Sequence, residues 1–156
     1  ATFYLGDNSV PRQFLTILDF TTSSLPDNAV VTKAILKIKK LSVTGTDPFV
    51  THQSAMVDIN SGPFGGVSAL QETDFQATAS MDSAGTILNA PVDNWYSAEM
   101  VKAALQYINV TGSTQFRLRF QLDDNDDLGA DTTKFYSGDT VLLDYRPVLQ
   151  IEYYVP

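Results

Sequence analysis

The stretch FRLRFQLDDNDDLGADTTKFYSGD, from Phe116 to Asp139, sets a run of carboxylates directly behind an alternating apolar and basic segment. Asp123, Asn125, Asp127 and Asp131 fall at relative positions 1, 3, 5 and 9, with the Gly129 carbonyl at 7. In that order a short loop can wrap oxygen ligands around calcium. Two positions depart from the pattern: Leu128 replaces the glycine of the sharp turn, and Lys134 stands at position 12, ahead of Phe135, where the closing glutamate would be. Carboxylates this close repel unless solvated or neutralised, so the segment reads either as a calcium loop or as a solvated acidic turn. Asp7 and Asp139, each following a glycine, are expected to hold Asx-type turns.

Sugar recognition needs aromatic faces for CH groups and polar or charged groups for hydroxyls and carboxylates. Trp95 and Tyr96, in DNWYS, are the candidate platform, with core packing as the alternative role for Trp95. Arg117 and Arg119 alternate with Phe116, Leu118, Phe120 and Leu122, and Lys37 and Lys39 alternate with Leu36 and Ile38. Period-2 alternation puts these four cations on wet strand faces, where they either meet an acidic polysaccharide or simply face solvent. Asn109-Val110-Thr111 is a glycosylation sequon or an ordinary turn.

Catalysis has little to draw on. His52 is the only histidine and lies in the strand-like FVTHQSAM, without a G-x-S-x-G context. Neither a glycine-rich phosphate loop nor an HExxH motif occurs. A binding or structural module is expected, not an enzyme.

The chain has 156 residues, 44% of them hydrophobic, which suits one domain with a real core. Its net charge of −8 argues against nucleic acid, whose affinity comes from basic patches. Apolar runs fall short of the roughly 20 residues that cross a bilayer, so no membrane span is expected. Without cysteine, disulfides and thiolate metal sites are excluded. No leader segment is visible, and Ala1 opens directly into strand-like ATFYL, as expected of a mature or excised domain.

The elements that must position these residues are mainly strands. Segments at 3–5, 13–20, 31–41, 49–59, 116–122, 133–137 and 148–155 are separated by turn chemistry such as GDNS, SLPDN, GTDP and SGPFGG. Ala34, Leu36 and Ile38 share one face, as do Leu149, Ile151, Tyr153 and Val155. One apolar and one wet face per strand predicts an all-β, two-sheet antiparallel sandwich; the jelly-roll type is the expected form of it. Val101, Ala104, Leu105 and Ile108 follow helical spacing, predicting one short α-helix near 98–108 with Ser97 as N-cap. Ordered loops are expected over 61–94, with short strands near 75–80 and 86–88.

Three segments together resemble the DNRLRE domain family of extracellular β-sandwich modules, which is related to a class of carbohydrate-binding modules. The first is FYLGDNSVPRQFLTILDFTTSSLPDNAVVTKAILKI, similar to the family's pattern at Leu5, Gly6, Asp7, Arg12, Asp19, Phe20, Ser24, Leu25, Pro26, Val31, Ala34, Leu36 and Ile38. The second is the predicted helix with INVTGSTQFRLRF, and the third DDNDDLGADTTKFYSGD with YRPVLQIEYYVP. The resemblance implies one sandwich domain over 1–156, outside the cell or at its surface, that binds a polysaccharide, acidic in some related modules. Family members usually carry a further strand before the Leu5-Gly6-Asp7 segment. Its absence would leave a sheet edge open, which a neighbouring protein subunit could complete, as in a surface or filament assembly.

Overall fold

The computed structural model describes residues 1–10 and 12–156. Its strands are β1 (Thr2–Asp7), β2 (Gln13–Phe14), β3 (Thr16–Thr21), β4 (Val30–Thr44), β5 (Ala55–Ser61), β6 (Met81–Ile87), β7 (Trp95–Glu99), β8 (Ser113–Phe120), β9 (Thr132–Tyr136) and β10 (Val148–Tyr154). One sheet runs β10-β4-β9-β1-β2 with β7 also on β4, and the other runs β3-β8-β5-β6. The pairings nest: β5 with β6, β4 with β7, β3 with β8, β1 with β9, all antiparallel. The alternation predicted the two-sheet sandwich, and a long hairpin wrapped on itself in this way makes it the expected jelly roll.

The core lies between the sheets. Leu5, Ala34, Leu36, Ile38, Tyr96, Ala98 and Phe135 meet Ala55, Val57, Ile59, Ala84, Ile87, Phe116, Leu118 and Phe120, all buried. Each large side chain here contributes about 1.5–3 kcal/mol by leaving water. Ala34, Leu36 and Ile38 point inward as their spacing predicts. On β10 the alternation holds for Leu149 and Ile151 but fails at Tyr153, which is exposed because a bulge at Glu152/Tyr153 shifts the register.

Two local predictions change. Residues 98–108 do not form an α-helix: Ser97 to Glu99 belong to β7, and a 3₁₀ helix spans Lys102–Tyr107 without a side-chain cap. Ala104, Leu105 and Ile108 are nevertheless buried, so the apolar spacing is satisfied by one tight helical segment. The α-helix, α1 (Pro48–Thr51), instead opens the segment expected to be a strand from Phe49. Asp47 accepts from the Phe49 amide at 3.0 Å and Pro48 occupies the first helical position, a start signal the apolar pattern masked. The expected strand near 75–80 is absent, being partly a 3₁₀ helix over Glu72–Phe75, while that near 86–88 is the end of β6.

Candidate functional site

The sheets turn two outward faces to the surroundings, and the four basic candidates divide between them. On the four-stranded sheet, Arg117 does not reach solvent. Residues 61–80 fold over this face through 3₁₀ helices at Phe64–Gly66 and Glu72–Phe75, leaving Arg117 only 7% exposed. Its Nε and Nη2 meet Asp58 Oδ2 at 3.0 and 2.9 Å. Nη1 donates to the carbonyls of Asp74, Phe75 and Ala77, and the guanidinium stacks over Phe64 with 4.7 Å to the ring centroid. Buried Asp58 also accepts from Arg119 at 3.3 Å and from the Ser83 amide at 2.9 Å. This is a planar donor fork satisfying a buried carboxylate and a loop backbone, not a free sugar contact. Gln115 adds a second staple by accepting from the Phe64 amide at 2.8 Å.

The outer face of the six-stranded sheet keeps its cations at the surface. Lys39 pairs with Trp95 and Lys37 with Ser97 across β4 and β7. Trp95 is delivered by a tight hairpin: Asp93 and Asn94 both have positive φ (50° and 64°), and Val92 and Trp95 exchange backbone hydrogen bonds. Asp and Asn tolerate that left-handed backbone, which matches strand twist in a type I′ turn. Lys39 Nζ donates to the Asp93 carbonyl at 2.9 Å and stands 5.4 Å from the Trp95 ring centroid and 4.8 Å from that of Tyr145. Beside them a groove of about 500 Å³ is lined by Lys37, Val92, Asp93, Trp95, Ser97 and Val148.

Tyr96 is not part of that platform. It alternates to the inside, is 1% exposed, stacks on Phe49 at 4.6 Å and receives a hydrogen bond from Lys40 at 3.1 Å. Trp95, Lys37 and Lys39 are therefore brought together, while Arg117 and Arg119 lie on the opposite face and Tyr96 lies in the core. Sequence reasoning missed Tyr136 and Tyr145, whose rings approach to 5.0 Å beside Lys39. The alternation of TKFYS, with Phe135 inward, carried the signal for Tyr136. No family model matches the chain. None of the curated proteins matches it either.

The acidic loop is held by its own hydrogen bonds. Asp124 accepts from the Asp126 amide, Asn125 from Asp127, and Asp127 from Gly129, a succession of Asx turns. Asp131 is the anchor: buried, it accepts from the Thr46 backbone N–H at 2.8 Å and from the Asn125 side-chain Nδ2 at 3.1 Å. Asp123 is exposed, and Gly129 contributes its N–H to Asp127. Among the described residues no three His, Asp or Glu side chains are arranged to hold a metal.

Asp7 differs from the surface Asx turn expected for it. It is 1% exposed, and its Oδ1 accepts from the Asp131 amide at 3.1 Å. Its Oδ2 lies 3.2 Å from His52 Nε2, off the line of a good hydrogen bond. Gly6 at φ 119° permits this closeness, since a Cβ there would strike the Asp131 carbonyl. His52 shares a 2.7 Å hydrogen bond with Thr51 through Nδ1 but is wholly buried, with no surface for a substrate to reach.

Asn109 follows the Lys102–Tyr107 helix, and its Oδ1 accepts from Thr111 N and Oγ1 in a local turn. Asp19 is bonded by Gln115 at 2.9 Å, and Arg146 donates to the Thr140 carbonyl at 3.1 Å.

Proposed function

We propose that the chain is a non-catalytic carbohydrate-binding module of the extracellular or cell-surface kind that the DNRLRE resemblance implies. It holds polysaccharide on the outer face of the six-stranded sheet. The observation that carries this is the Trp95 groove: an indole presented by a tight turn, with Lys37, Ser97 and Asp93 around about 500 Å³ of open space. The indole face takes sugar CH groups, while the lysine and the small polar groups take hydroxyls or carboxylates. Half-burial of Trp95 against Lys39 means little rotamer entropy is left to lose on binding. Affinity electrophoresis through gels containing neutral and acidic polysaccharides tests it. Retardation by at least one glycan is expected, and unretarded migration in every gel would refute it.

A second reading, a structural subunit completed by a neighbour's strand, has one observation in its favour. β3 and the free flank of β1 border a groove of about 500 Å³ lined by Phe3, Leu18, Phe20, Asp139, Arg146 and Pro147. Half-buried apolar side chains beside unpaired strand edges suit an added strand. Light scattering at increasing concentration separates the two: a constant monomer mass would remove the assembly reading.

A further inference from the structure

The geometry points to a second subsite on the same face, built from Lys134, Tyr4 and Phe14 and joined to Trp95 through Tyr136 and Tyr145, so that the sheet carries one acidic glycan chain across several strands. This rests on the carbohydrate-binding function proposed above. It goes beyond a single sugar at the Trp95 groove.

Phe135 is wholly buried, so its neighbours Lys134 and Tyr136 point outward from β9. Lys134 Nζ stands 5.3 Å from the Tyr4 ring centroid, and Tyr4 lies 5.8 Å from Phe14. Tyr4 is directly opposite Lys134 in the β1–β9 register, and Tyr136 is opposite Thr2. From Trp95 the contacts run to Lys39, from Lys39 to Tyr145 and from Tyr145 to Tyr136, two residues along β9 from Lys134. Aromatic rings and ammonium groups thus alternate over β7, β4, β9 and β1. These strands are three spacings of about 4.8 Å apart, room for more than one sugar ring.

Charge selects the occupant. The chain carries −8 overall, yet Lys33, Lys37, Lys39 and Lys134 all lie on this face. Lys33 is paired with Glu99 at 3.7 Å, whereas Lys37, Lys39 and Lys134 have no carboxylate partner among the described residues. Ammoniums without a carboxylate partner, interleaved with aromatic faces, fit a chain whose sugars present CH faces and carboxylates in turn, such as a polyuronate.

The test uses uronic-acid oligosaccharides of defined length, disaccharide and hexasaccharide, from several uronates, with neutral oligosaccharides and single-stranded DNA as controls. Calorimetry is run on wild type, Tyr4→Ala, Lys134→Ala and Trp95→Ala, with unchanged thermal melting as the folding control. At least one uronate hexasaccharide is expected to bind about tenfold tighter than its disaccharide. Tyr4→Ala and Lys134→Ala should bring the hexasaccharide to the disaccharide's affinity and leave the disaccharide unchanged, while Trp95→Ala weakens both. A hexasaccharide bound no tighter than the disaccharide, indifference to Tyr4→Ala and Lys134→Ala, or equal binding of the DNA would overturn the second subsite. Trp95-dependent binding of neutral sugars alone would sink this inference and spare the proposed function; binding of no sugar at all would sink both.

Discussion

The outward faces of the two sheets look alike in sequence and end in opposite states. Arg117 and Arg119 alternate with core residues of β8 just as Lys37 and Lys39 do on β4. On the four-stranded sheet the segment 61–80 packs over the strands and draws Arg117 into a buried pair with Asp58. On the six-stranded sheet Lys37 and Lys39 stay beside an outward indole and a groove. Alternation assigns a side chain to a face, but what covers that face decides whether its charge holds the fold or is left for a ligand.

The difference can be broken most forcefully at Arg117. Arg117→Ala removes the closer of the two arginines on buried Asp58 and leaves three loop carbonyls without their donor, which should cost about 3–5 kcal/mol. In a chain of this size that lowers the melting temperature by about 10 °C, readable by calorimetry. Lys37→Ala, at the equivalent alternating position of the other face, should change stability by less than about 0.5 kcal/mol. Similar losses at both sites would end the contrast.

Next comes Asp131→Ala in the acidic loop. Loss of its bonds from Thr46 and Asn125 should cost about 1–3 kcal/mol. Because the loop's carboxylates already accept N–H groups, exchanging chelator for millimolar calcium should move the melting temperature by less than about 1 °C. A larger upward shift would restore the calcium reading by the linkage that any native-state ligand produces.

The smallest effect is expected at Lys40. Partial burial pulls its ammonium downward, but the Tyr96 hydroxyl and the Asp47 carboxylate outweigh this and leave its pKa above the ordinary value. A raised lysine contributes stability that is fully present below the unfolded value, about 10.4, and is lost as pH rises through the folded one. The gap in melting temperature between wild type and Lys40→Met should therefore be constant from neutral pH to about 9 and close at higher pH. A gap that widens with alkalinity would contradict the sign.

The strands were legible because a face buried on one side imposes period 2, as at Ala34, Leu36 and Ile38. The 3₁₀ segment at Lys102–Tyr107 was mistaken for an α-helix because both place residues three apart on one side. The identity of Trp95 and the lysines as surface groups was partly readable, since Asp93-Asn94 marks a hairpin turn that fixes which way Trp95 points. Tyr96, its neighbour, had to face the other way, and treating both as one platform ignored the strand's alternation. The fate of Arg117 was not readable: it depends on contacts with Asp58, 59 residues away in sequence, and with carbonyls about 40 away. Tyr145 was equally hidden, because it comes from a 3₁₀ turn that reaches over a strand far from it in sequence.

The central claim is that the six-stranded sheet's face, not the four-stranded one, meets the glycan. Calorimetric titration of the most strongly retained polysaccharide into wild type, Trp95→Ala and Arg119→Ala tests it most directly. Trp95→Ala should lose about tenfold or more in affinity with its fold intact, while Arg119→Ala, measured below its melting temperature, binds as wild type does. Full affinity in Trp95→Ala, or its loss in Arg119→Ala alone, would contradict the account.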